Sequence, residues 1–193
     1  MQESATARSS GMVAVIGLEE DKIHDLCQEA REEQVLTPAN FNCPGQIVIS
    51  GDTEACQRAA TLAEEKFEAR ATILKVAGAF HSDIMAPAAE EFSKTLSDIS
   101  FADPQCRVIA TVDTEPYTSA DSIPEKLLLQ LTGAIRWQQS MERMISEGLE
   151  TPYEIGPGKS LSGMMRRIDR SIRVVAINSA EAIEKVFGES ATG

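Results

Sequence analysis

Apolar residues in the first part of the chain come as short unbroken runs separated by helical spacings. "MVAVIGL" (12–18) has the pattern of a strand covered on both faces. Residues 19–30 then place Ile23, Leu26, Cys27 and Ala30 on one side of a helix. "VLTPANF" (35–41) and "QIVIS" (46–50) read as two strands around the turn signal Pro44-Gly45. Asp52 is placed to cap a second helix whose Ala55, Ala59, Leu62, Ala63 and Phe67 face inward, and "ATILKV" (71–76) returns as a strand. The predicted order is βαββαβ, the ferredoxin-like unit.

After residue 76 the pattern changes. Helices are predicted at 82–96, 123–132, 137–147, 159–168 and 179–187, interleaved with strands at 106–112, 151–155 and 172–177. This is an α/β layer arrangement, but a doubly covered parallel sheet usually has more than three strands, so the region reads as part of a sheet. The fold class is therefore α/β with an α+β small lobe. Residues 1–11 are expected to be a flexible N-terminal segment, 12–76 the small subdomain, 77–188 the α/β region and 189–193 a mobile tail.

Composition narrows the function. The formal net charge is -12, which argues against nucleic acid as a partner, because backbone phosphates are bound by clustered lysine and arginine. No apolar run approaches the ~20 residues of a membrane span. The beginning of the chain has no signal-peptide pattern, and a soluble cytoplasmic protein with no membrane partner is expected. Cys27, Cys43, Cys56 and Cys106 form no CxxC pair, so reduced thiols and no metal site are expected; His24 and Cys27, three apart on a helix, fall short of a ligand set.

"EIGPGKSLSG" (154–163) looks like a phosphate or nucleophile motif and is neither. A Walker A loop needs glycine where Tyr153 stands, and a G-x-S-x-G elbow needs glycine where Ser162 stands. The stretch reads as strand, glycine turn and helix, with Leu161, Met164, Met165 and Ile168 facing inward. Trp137, Met141, Met144 and Ile145 form the core face of the helix before it. Arg166, Arg167, Arg170 and Arg173 cluster on an acidic chain, either as solvated surface or as a contact for an anionic partner. His81 stands where an apolar run and a glycine loop give way to a helix, a place where α/β enzymes put catalytic residues.

Taken in order, "GMVAVIGLEE", "PANFNCPGQIVISG", "VAGAFHSDIMAPAAEEF", "LLLQLTGAIRWQQSME" and "YEIGPGKSLSGMMRRI" resemble the malonyl-CoA:acyl-carrier-protein transacylases of fatty acid synthesis, over residues 11–178. The acyltransferase domains of polyketide synthases are a weaker match. The resemblance implies a two-lobed fold, an α/β-hydrolase-like core with a ferredoxin-like small lobe, in which 77–188 is the C-terminal part of the core. It implies ping-pong acyl transfer through a serine, with malonyl-CoA as substrate, acyl carrier protein as partner, no bound cofactor and a monomeric state. His81 matches the family's base, and Gln130 falls where an oxygen orients its ring. Asn40 and Asn42 either line the channel for the pantetheine arm or stabilise turns. Arg166 and Arg167 are the expected contacts for the acidic carrier protein.

One departure qualifies the resemblance. The sequence contains no G-x-S-x-G, nor the glutamine segment and arginine that the family uses for the oxyanion hole and the malonyl carboxylate. In the family all three lie upstream of the matched region, so the chain is expected to be a C-terminal portion, inactive alone. A non-catalytic carrier-binding module, a polyketide-type acyltransferase fragment and a decayed fragment are the alternatives.

Overall fold

The structure is a computed structural model that describes residues 2–188; the tail expected at 189–193 lies outside the described residues. The chain forms two compact units that divide between Ser140 and Met141, and the boundary expected after residue 76 falls inside the first. In chain order the elements are α1 (Gln2–Ala7), β1 (Ser10–Ile16), α2 (Glu20–Arg31), β2 (Leu36–Cys43), β3 (Gln46–Asp52), α3 (Thr53–Glu65), β4 (Arg70–Ile73), a 3-10 turn (Asp83–Met85), α4 (Ala86–Ser97), α5 (Ser122–Thr132), α6 (Trp137–Ser146), β5 (Tyr153–Ile155), α7 (Ser160–Ile168), β6 (Val175–Ile177) and α8 (Ala180–Phe187). No described helix is long and apolar enough to cross a membrane.

The apolar run of β1 makes it the inner strand of an antiparallel sheet ordered β2-β3-β1-β4, the ferredoxin-like arrangement predicted from the pattern. Val13 pairs with Ile49 and Ile73, and Val15 with Ile47 and Ala71. These side chains form one face of the sheet, which packs on Ile23, Leu26 and Ala30 of α2 and Ala55, Ala59 and Ala63 of α3. Burying each of the larger side chains contributes about 1.5–3 kcal/mol. The other face carries Met12, Ala39 and Val48, with Leu74 and Phe80 packed against them. Covering on both faces explains the unbroken apolar run, and the second face receives the segment that contains His81.

Four predicted features differ. The N-terminal segment, expected to be flexible, carries α1 with Ala5 buried against Ala79, Ile84 and Met85, and an ion pair ties it further. Asp52 precedes α3 as predicted, but its side chain does not cap that helix. The carboxylate, 5% exposed, accepts from Val35 N–H at 2.8 Å and from Arg8 Nη2 at 2.5 Å. A buried carboxylate needs a cation, and Arg8 satisfies it by fastening the N-terminal segment to the sheet. The strand expected at 106–112 is a hairpin held by a single bridge, Ile109 to Pro116, rather than part of a sheet. The 82–96 helix begins instead at Ala86, after a 3-10 turn, with Pro87 in its first turn.

In the second unit β5 and β6 pair in parallel, Tyr153 with Val175 and Ile155 with Ile177. Gly156 and Gly158 turn the chain at φ of 135° and 94°, a region open to glycine. Met165 of α7 is buried as predicted, but Leu161 is exposed.

Candidate active site at His81

Two hydroxyls on the second face of the sheet and one within the segment itself fix the His81 segment. Ser50 Oγ on β3 donates to the Phe80 carbonyl at 2.7 Å. Ser10 Oγ on β1 accepts from Ala79 N–H at 3.2 Å, and Ser82 Oγ donates to the Ala79 carbonyl at 2.7 Å. Gly78 passes close to α1, where a Cβ would stand 2.7 Å from Ala5 Cα. So held, His81 adopts φ of 58°, a left-handed conformation that is uncommon for a residue with a side chain and is found at functional sites.

The ring is oriented by a helix end. His81 Nδ1 lies 2.9 Å from the backbone carbonyl of Gln130, in the last turn of α5. A carbonyl only accepts, so Nδ1 carries the ring proton and Nε2 of the neutral ring is the bare acceptor. Nε2 has no hydrogen-bond partner among the described residues. Gly133 N–H closes α5 on the Leu129 carbonyl at 2.7 Å, which leaves the Gln130 carbonyl without a helical donor among the described residues. The negative end of α5 therefore faces the ring edge that gains positive charge when Nε2 takes a proton. The arrangement is that of a general base: one nitrogen anchored, the other open.

The Gln130 side chain points elsewhere. Its Oε1 accepts from Thr111 Oγ1 at 2.7 Å, and its Nε2 is buried without a partner among the described residues. Just after α5, Ile135 joins β2: its N–H donates to the Ala39 carbonyl and its carbonyl accepts from Phe41 N–H, both at 2.8 Å. Asn40 is thereby brought to the strap that follows the His81 acceptor. Asn40 and Asn42 are half-buried, and neither carboxamide makes a hydrogen bond among the described residues.

Arg166 and Arg167 lie exposed on α7 in the second unit. The start of that helix is already occupied. The Glu154 carboxylate accepts from the N–H groups of Leu161 at 2.9 Å and Ser162 at 2.8 Å, and the Ser162 hydroxyl holds its carboxyl below the usual range. That is a physical reason why the GPGK stretch makes no phosphate cradle. Among the described residues no group of three or more His, Cys, Asp or Glu could hold a metal ion. A groove of about 870 Å³, lined by residues that include Arg8, Ile84, Phe92 and Leu131, passes beside the His81 segment without including His81.

No protein-family model matches the chain. The malonyl CoA-acyl carrier protein transacylase of Bacillus subtilis (strain 168) is 38% identical over 185 residues, 95% of this chain and 58% of that protein. An acyl carrier protein S-malonyltransferase from Vibrio cholerae O1 superposes with a TM-score of 0.92 at 39% identity, over 96% of this chain and 61% of its own. Over nearly its whole length the chain is similar to malonyl CoA-acyl carrier protein transacylases. It spans 58–61% of the length of these relatives and corresponds to their C-terminal portion. A malonyl-transacylase solved in complex with its type II PKS acyl-carrier protein has the same fold, with a TM-score of 0.92 at 33% identity over 97% of this chain and 61% of its own.

In this chain the structure brings together His81 and Gln130, with Asn40 on the adjoining strand. The sequence carried no signal for Thr111, because a threonine in an apolar stretch is ordinary. Ser10 and Ser50 were equally silent. Their alternation with apolar neighbours marks the second sheet face, but nothing in the sequence says what covers it.

Proposed function

We propose that the chain acts in malonyl transfer from malonyl-CoA to acyl carrier protein, with His81 as the base and acid of a ping-pong reaction. The observation that carries this is the 2.9 Å bond from His81 Nδ1 to the Gln130 carbonyl, which leaves Nε2 as the base. Nε2 takes the proton of a serine hydroxyl while the serine oxygen attacks the thioester carbonyl. The tetrahedral adduct then breaks its C–S bond, and the coenzyme A sulfur leaves with the proton from the ring. In the second half the phosphopantetheine thiol gives its proton to Nε2, its sulfur attacks the seryl ester, and the serine oxygen leaves with that proton. The sequence holds no G-x-S-x-G. In this reading the serine belongs to the part of the transacylase chain that these residues do not span, and these residues alone form no acyl-enzyme.

Malonyl-CoA is a substrate in this scheme, and no resident cofactor or metal is required. The uncommitted carboxamides of Asn40 and Asn42 are suited to the amides of the pantetheine arm. Arg166 and Arg167 are suited to an acidic carrier protein, and the relative solved with its own carrier protein supports that class of partner. Residues 12–76 serve as the small subdomain and 77–188 as the C-terminal part of the core, in a cytoplasmic monomer.

Joining this chain to the N-terminal part of the Bacillus subtilis relative tests the proposal. The joined protein is expected to pass labelled malonyl from malonyl-CoA to carrier protein. A folded joined protein that binds carrier protein without transferring malonyl would overturn the proposal in favour of a non-catalytic binding module. Preference for a branched malonyl group would favour a polyketide-type acyltransferase.

A further inference from the structure

We infer that Thr111 is a positioning residue for the His81 base, acting through Gln130; the inference rests on the reading of His81 as that base. Gln130 uses its two ends differently, its carbonyl accepting from His81 Nδ1 at 2.9 Å and its Oε1 from Thr111 Oγ1 at 2.7 Å. The carbonyl lies past the last intrahelical bond of α5, so no helical N–H fixes its direction among the described residues. Helix ends fray unless tied. The side-chain bond ties this one from outside.

Thr111 can act as an anchor because its hairpin is braced. Ile109 bridges Pro116, and Tyr117 N–H donates to the Val108 carbonyl at 2.9 Å. Lys126 of α5 pairs with Asp113 at 2.9 Å and donates to the Pro116 carbonyl at 3.2 Å. Beyond the helix end, Arg136 N–H donates to the Thr111 carbonyl at 2.7 Å. Gly133 permits this approach, because a Cβ there would stand 2.8 Å from Val112 Cγ2. Thr111 therefore holds the chain on both sides of the acceptor, through Gln130 before it and Arg136 after it.

The Gln130 amide stays in place although its Nε2 is buried without a partner among the described residues, a loss that turning toward water would relieve. Were the amide reversed, Nε2 would donate to Thr111 and Oε1 would be the unpartnered atom; the tether persists either way.

The test uses the 193-residue chain itself, which has two histidines, so nitrogen-15 imidazole spectra separate His81 from His24. The unaltered chain is expected to show His81 as the single Nδ1–H tautomer. Thr111→Val, which keeps the shape and removes the hydroxyl, is expected to lose that single-tautomer signature and give a mixture, while Thr111→Ser restores it and His24 is unchanged. A Thr111→Val chain that keeps the single tautomer overturns the inference. Should circular dichroism show that this variant does not fold, Gln130→Leu, which deletes the same bond from the other side, is read with the same two outcomes. The readout needs neither a serine nor a malonyl thioester, so a failed tether leaves the transferase proposal standing, and a failed transferase leaves the tether measurable.

Discussion

The hydroxyl of Ser50 donates to the carbonyl of Phe80 at 2.7 Å, so the sheet interior is bonded directly to the residue before His81. Ser50 is fully buried, and Phe80 packs with Met12, Ala39 and Val48 on the same face. The ferredoxin-like lobe thus holds the residue next to the left-handed turn at His81.

Replacing Ser50 with alanine leaves that carbonyl without its donor, which is expected to destabilise the chain by about 1–3 kcal/mol. Urea unfolding measures it. A change under about 0.5 kcal/mol, the ordinary range for surface positions, would mean that the bond does not hold the segment.

Leu26 is fully buried between α2 and the sheet, with Ile23 and Val15 in the same cluster. Leu26→Ala is expected to lower stability by about 2–5 kcal/mol through lost burial and a residual cavity. Exposed Leu129 serves as the control, and its alanine variant should cost clearly less in the same urea titration.

Burial pushes the Cys27 thiol from its ordinary 9.0 up to about 12, with Cys56 close by adding to the effect, and burial likewise pushes Cys56 up to about 11. Above about pH 9 the unfolded chain gives up these protons while the folded chain keeps them. The associated stability is therefore complete below pH 9 and is lost as pH rises toward the folded values. Thermal midpoints should fall from pH 9 to 11, and fall less in a Cys27→Ala, Cys56→Ala chain. Equal slopes would contradict the burial of both thiols.

Arg166→Glu combined with Arg167→Glu should slow association of the joined enzyme with carrier protein about tenfold at low salt, the difference shrinking as salt screens it. Stopped-flow binding at two salt concentrations decides this, and equal association rates would remove α7 as the contact.

The βαββαβ lobe was legible because its side chains alternate between two buried faces, or repeat along helices, in ways that few other folds satisfy; Val13, Val15, Ile23 and Leu26 all fall where their spacing puts them. The 106–112 segment was misread because an apolar stretch signals burial without saying whether a neighbouring strand exists. The N-terminal segment was misread because Arg8 finds its partner, Asp52, across a long stretch of sequence, where spacing gives no clue. His81 stands out in the sequence by its setting and Gln130 only by resemblance, and the structure bonds one to the other. The division of labour within Gln130, carbonyl to the ring and amide to Thr111, is a matter of backbone direction at a helix end, which residue identity does not encode.

In the proposed reaction His81, anchored on the Gln130 carbonyl, moves the proton in malonyl transfer. Single-turnover formation of the malonyl-serine ester tests it most directly, in the joined enzyme with and without His81→Ala. The substitution is expected to slow ester formation by about 10³-fold or more while the circular dichroism spectrum is unchanged. Ester formation within about tenfold of the unaltered enzyme would contradict it.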